Sequence, residues 1–154
     1  MREQQLSADG PAFAKASAGK RRYTPMNAGA EREKLDQLTE RVIGCAYEVS
    51  NILGCGFLEK TYENALATEL RLGGLRVEQQ KLVQVRYKGE LVGEGVLDML
   101  VEDAVIIEVK AVDALDGAHT AQCLNYLKAT GLPVCLLLNF GKPRVQLRRL
   151  VRDF

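Results

Sequence analysis

The sequence predicts an α/β (α+β) fold with a mixed central sheet flanked by helices, and three observations carry that reading. Two stretches with helical apolar spacing come first, several extended segments follow, and a helix between two strands closes the chain. The late strand–helix–strand passage implies one parallel crossover joined to an antiparallel meander. With 154 residues, 47% of them apolar, the chain suffices for one domain with its own core.

Residues 1–34 are rich in Ala, Gly, Ser, Lys and Pro and show no sustained periodicity, so they are expected to form a flexible extension. The folded unit, 35–154, is expected to begin near Leu35. Leu38, Val42, Ile43, Ala46 and Val49 mark a first helix over 36–53, which Gly54-Cys55-Gly56 stops. A second helix runs from Phe57 to Leu72 and closes at Gly73-Gly74. Extended segments follow at 75–79, 82–87, 91–101 and 104–111, with a turn at Tyr87-Lys88-Gly89-Glu90. A helix from Asp116 to Thr130 stops at Gly131 and Pro133. Val134 to Asn139 is a continuous apolar run, typical of a strand buried on both faces, and a last strand covers 144–151.

The net charge of +1 neither announces a nucleic-acid binder nor excludes one. Two basic clusters stand out: Lys20-Arg21-Arg22, and the set Lys142, Arg144, Arg148, Arg149 and Arg152. Either suits phosphates, and the second equally suits a solvated edge that protects a terminal strand. No apolar run reaches transmembrane length and no secretory stretch opens the chain, so a cytoplasmic location without a membrane partner is expected. The cysteines, Cys45, Cys55, Cys123 and Cys135, form no CxxC pair; Cys123 and Cys135 read as small core residues.

The chemistry starts from Asp98, an acid inside the apolar strand Val96 to Val101. A carboxylate there is costly unless it is paired, hydrogen-bonded or bound to a cation. On the next strand Glu108 and Lys110 are two apart and leave the same face, while Val105, Ile107 and Val109 pack on the other. A two-residue loop of Glu102 and Asp103 would set Asp98 opposite Ile107; a three-residue loop or a bulge sets it opposite Glu108. The second arrangement is expected, with Asp98, Glu108 and Lys110 on one face. Two carboxylates and a backbone carbonyl are hard ligands for Mg²⁺ or Mn²⁺, and Lys110 can orient or help deprotonate an attacking water, or stabilise charge on phosphorus. A purely structural ion cluster is the competing reading.

Glu59 points within about 20 degrees of Leu66 and Leu70 on the second helix, in the middle of its apolar stripe, and wants a partner. Glu63 lies farther round and reads as solvated, and Tyr62 as a core aromatic with a bonded hydroxyl. On the third helix His119, Gln122 and Tyr126 share a face. Gln122 and Tyr126 could reach a phosphate or hold Lys110, while His119 reads as an exposed helix residue.

Gly56-Phe57-Leu58-Glu59-Lys60-Thr61-Tyr62 resembles the signature of the bacterial GxxExxY protein family. Further likeness lies in Tyr87-Lys88-Gly89, Leu97-Asp98, Glu108-Val109-Lys110-Ala111, Gln122 through Lys128, and Asn139-Phe140-Gly141, covering about 36–150. That family is placed among the PD-(D/E)XK nucleases, so the resemblance implies a restriction-endonuclease-like core. It implies that Asp98, Glu108 and Lys110 are the D…ExK triad, that Glu59 is the acid of the first core helix, and that Gln122 and Tyr126 correspond to a QxxxY motif. Leu97 stands where the motif has proline, a departure that removes no ligand.

The expected function is therefore a metal-dependent nuclease on nucleic acid, DNA first and RNA second. Catalytic roles fall to Glu59, Asp98, Glu108, Lys110, Gln122 and Tyr126, with Asp98, Glu108 and Glu59 as the metal set. The alternatives are a non-catalytic nucleic-acid- or protein-binding module on the same fold, and a subunit of a defence or repair assembly. A homodimer or a partner protein is compatible with each.

Overall fold

The computed structural model describes residues 25–152, with side chains from Ala28 onward. Helix α1 spans Pro25–Leu53 and α2 spans Glu59–Leu72. Strands β1 (Val77–Tyr87), β2 (Glu90–Val101) and β3 (Val105–Lys110) form an antiparallel meander. Helix α3 (Gly117–Thr130) then carries the chain to β4 (Val134–Asn139), parallel to β3, and β5 (Gln146–Val151) returns antiparallel. The five strands lie in the order β1-β2-β3-β4-β5. This is the expected mixed sheet flanked by helices.

Each face of the sheet has its own core. Val42, Ala46 and Val49 of α1 and Tyr62, Leu66, Ala67 and Leu70 of α2 pack against Val105, Ile107, Val109, Leu136 and Leu138. Cys123 and Leu127 of α3 pack on the other face against Ile106, Cys135 and Leu137. Strand β4 feeds both cores and is buried along its whole length, which is why its sequence shows no alternation.

Two boundaries differ from the sequence expectation. Helix α1 begins at Pro25 rather than near 36, so residues 25–34 are helical. Leu35 is the first α1 leucine to pack against the core, and Arg32, Glu33 and Lys34 are exposed; the early turns therefore lack an apolar stripe to betray them. The rest of the expected extension, with Lys20-Arg21-Arg22, lies outside the described residues. The segments 75–79 and 82–87 belong to one strand, β1, interrupted by a left-handed residue, Gln80, at φ 55°. The β1–β2 turn at Lys88 and Gly89 has positive φ at both residues, matching the twist of a tight hairpin. No helix among the described residues is long and apolar enough to cross a membrane.

Candidate active site

The β2–β3 connection decides the site. Val101 pairs with Val105, Leu100 with Ile106 and Met99 with Ile107, so Glu102, Asp103 and Ala104 form a three-residue loop. Glu102 and Asp103 both take left-handed backbones, and the Ala104 N–H closes on the Val101 carbonyl at 3.0 Å. That odd count carries Asp98 opposite Glu108, as the spacing demanded.

Regular ladder pairing stops at Met99 and Ile107, and side chains continue it. The Asp98 N–H donates to Glu108 Oε2 at 3.0 Å, and the Val109 N–H donates to Asp98 Oδ2 at 2.8 Å. Each carboxylate thus spends one oxygen bracing the other strand and keeps one oxygen unbonded to any described residue.

The surroundings disfavour both charges. Glu108 is only 2% exposed. Burial first, and then the neighbouring Asp98, push its pKa from the ordinary 4.5 to about 8. Asp98 is raised too, by burial first, with Glu63 and Glu59 of α2 adding to the rise. Lys110 pulls both down but contributes the smallest effect on each. Its ammonium makes no hydrogen bond or ion pair with another described residue, while its carbonyl accepts the Phe140 N–H at 2.8 Å.

Two destabilised carboxylates with one free oxygen each form a donor set suited to a hard divalent cation. Among the described residues, however, no three acids, histidines or cysteines lie close enough to form a ready cage. The donor set fits an ion that keeps most of its own water, as Mg²⁺ does.

The two α2 acids exchange the parts expected of them. Glu59 is exposed and hydrogen-bonds no other described residue, because it is the first residue of α2. Glu63 is 4% exposed rather than solvated, because the buried arc of α2 is wide enough to include it. Its carboxylate accepts from Lys60 Nζ at 3.2 Å, from Gln79 Nε2 at 2.9 Å and from Gln80 Nε2 at 3.0 Å. So saturated, Glu63 ties α2 to β1, a task its spacing alone did not reveal.

Gly56 and Tyr62 hold the loop before α2. Gly56 sits at φ 115°, a conformation that favours glycine. Tyr62 Oη donates to the Gly54 carbonyl at 2.6 Å and accepts the Phe57 N–H at 3.2 Å, and its ring stacks on Phe140 with centroids 4.9 Å apart.

On α3, Tyr126 Oη donates to the Val96 carbonyl at 3.0 Å and accepts from Gln122 Nε2 at 3.4 Å. Neither side chain bonds Lys110, so that alternative for their role is not observed. A groove of about 400 Å³ opens beside them, lined by Val83, Val85 and Gly95 of the β1–β2 ribbon and by Gln122, Asn125 and Tyr126 of α3. His119 belongs to the start of the helix: its Nδ1 accepts the Asp116 N–H at 3.1 Å, while Asp116 accepts the Ala118 and His119 N–H groups in a capping box.

Asn139 holds the chain that follows Lys110. Its Oδ1 accepts from the Val112 and Gly141 N–H groups, and its Nδ2 donates to the Val112 carbonyl and to Gln146. A Cβ on Gly141 would fall on the Val112 backbone. In the basic C-terminal set, Arg148 bonds Thr120 and Arg149 pairs with Asp36, so these two brace β5 against the helices.

The description PD-(D/E)XK nuclease superfamily matches residues 36–150, so the chain belongs to that superfamily. Among solved structures it resembles one titled SSO0001 at 16% identity, with a TM-score of 0.50, covering 62% of this chain and 50% of that one. It also resembles an alkaline exonuclease, LHK-Exo, from Laribacter hongkongensis at 18% identity and a TM-score of 0.46, covering 61% and 56%. The chain thus spans about half the length of these structures. No protein of curated function matches its sequence.

Proposed function

We propose that this chain is a metal-dependent phosphodiesterase acting on nucleic acid, with Asp98, Glu108 and Lys110 at its centre. The observation that carries the reading is the cross-braced pair of carboxylates, Glu108 buried and Asp98 half-buried, each with a free oxygen, beside an ammonium that no described residue engages. Mg²⁺ or Mn²⁺ held by Asp98 and Glu108 would polarise a phosphoryl oxygen and acidify a water. Glu59, in the first turn of α2, is near enough to help raise the Asp98 pKa and would supply an outer acid. Its motif partners, Gly56 and Tyr62, shape the loop, while Glu59 has no structural partner, which supports a GxxExxY-type protein with Glu59 kept for chemistry.

Lys110 orients the attacking water or donates to the developing charge on phosphorus. Tyr126 and Gln122 fix the wall of the site through the Val96 carbonyl and offer polar groups to the strand being cut. Lys142 and Arg144 follow β4 at the end where Lys110 lies, and no described residue engages either, so they are free to meet phosphates. DNA is the first substrate to test, RNA the second, and the cytoplasm the proposed location.

Asp98→Ala, Glu108→Ala and Lys110→Ala should each lower Mg²⁺- or Mn²⁺-dependent cleavage by about a hundredfold or more, with far-UV circular dichroism unchanged. Full activity in any one of the three would sink the proposal. A second reading, a binding module without turnover, draws on the absence of a ready three-acid cage among the described residues. Tight nucleic-acid binding that ignores metal, with no cleavage of any substrate, would favour it.

A further inference from the structure

Strands β1 and β2 change faces together at one point. Val77, Met99 and Val101 lie in the core under α1 and α2. Val83 and Leu97, an even number of residues away from them, lie in the core under α3. Strict alternation forbids that, so each strand has rotated by half a turn in between. The register is kept on both sides: Gln79 pairs with Met99 and Lys81 with Leu97, while Gln80 and Asp98 between them form no regular pair. Gln80 is the residue with φ 55°.

We infer that Gln80 is a positioning residue for Asp98. Its left-handed backbone turns the ribbon at the level of Asp98. That turn frees the Asp98 N–H from β1 for Glu108, and swings the Asp98 carboxylate to the Val109 N–H. The Gln80 amide locks the turn by donating to both oxygens of buried Glu63, at 3.0 and 3.2 Å, so α2 is the fixed body against which the ribbon rotates. A left-handed backbone inside a strand needs support from its surroundings when the residue disfavours it; the Glu63 contact supports Gln80, whereas glycine and asparagine accept the conformation at little cost without it. The catalytic consequence rests on the proposed nuclease reading; the geometric consequence does not.

The test compares Gln80→Val, which disfavours the left-handed backbone, with Gln80→Gly and Gln80→Asn, which accept it. Two readouts are taken on folded protein: amide-hydrogen exchange of Val109, which reports its bond to Asp98 without any metal, and Mn²⁺ affinity. Gln80→Val should lose about tenfold in each, while Gln80→Gly and Gln80→Asn stay within about threefold of the parent chain. If Gln80→Val does not fold, Gln80→Ala takes its place with the same ranking expected. Unchanged Val109 exchange in the Val or Ala variant overturns the inference. So does an equal loss in Gln80→Gly, because the effect would then follow the amide rather than the backbone. If the parent chain binds no Mn²⁺, the nuclease reading fails while Val109 exchange still decides the role of Gln80.

Discussion

Glu108 makes the sharpest statement about pH. Its pKa is ordinarily 4.5 and lies at about 8 in the fold. Between those values the unfolded chain has released this proton and the folded chain still holds it. Metal-free stability therefore falls as pH rises through that window, by an amount on the order of 2–4 kcal/mol. Glu108→Gln should flatten the decline, which thermal melts from pH 5 to 9 will show. Cation affinity runs the opposite way, because the ion competes with the proton; Mn²⁺ binding should strengthen by up to about tenfold per pH unit below 8. Calorimetry across the same range checks it, and a pH-independent affinity would mean the ion does not use Glu108. Much at this scale was legible in the sequence. Counting loop residues reduced the choice to two registers, and the expected three-residue loop, which sets Asp98 against Glu108, is the one the β2–β3 pairing has. The burial of Glu63 was not legible, since it depends on Gln79 and Gln80, whose reach toward α2 follows from a backbone turn that no residue type announces.

At the level of elements, the site is framed by two braces remote from its acids. Tyr62 holds the Gly54–Phe57 loop, and Tyr62→Phe should cost about 1–2 kcal/mol by leaving the Gly54 carbonyl and the Phe57 N–H without their shared partner. Asn139 and Gly141 hold the chain after Lys110. Gly141→Ala should cost about 1–3 kcal/mol and displace that chain, so cleavage should fall along with the denaturant midpoint. Normal activity in a destabilised Gly141→Ala chain would show that Lys110 does not depend on this support. Helix α2, the hairpin turn and β4 were legible because each has strong periodicity or strong punctuation. The early turns of α1 were not, because a helix that projects past its core has no reason to be amphipathic.

Across the whole molecule, the order of elements in the chain foretold the parallel crossover that joins the meander to β4, since β3 and β4 can be parallel only if a long connection links them. That crossover has a consequence for synthesis. Asp98 and Glu108 sit on a hairpin of neighbouring strands, a local structure that forms early. The low-dielectric setting of Glu108 comes from α3 and β4, which leave the ribosome after it. Until β4 docks, the hairpin's acids should be ordinary solvated carboxylates. A nascent or truncated chain that stops before Val134 therefore carries every acid of the site without the site itself. On the proposed nuclease reading, such a chain should leave nucleic acid intact, and competence would arrive late, with the strand that seals the sheet.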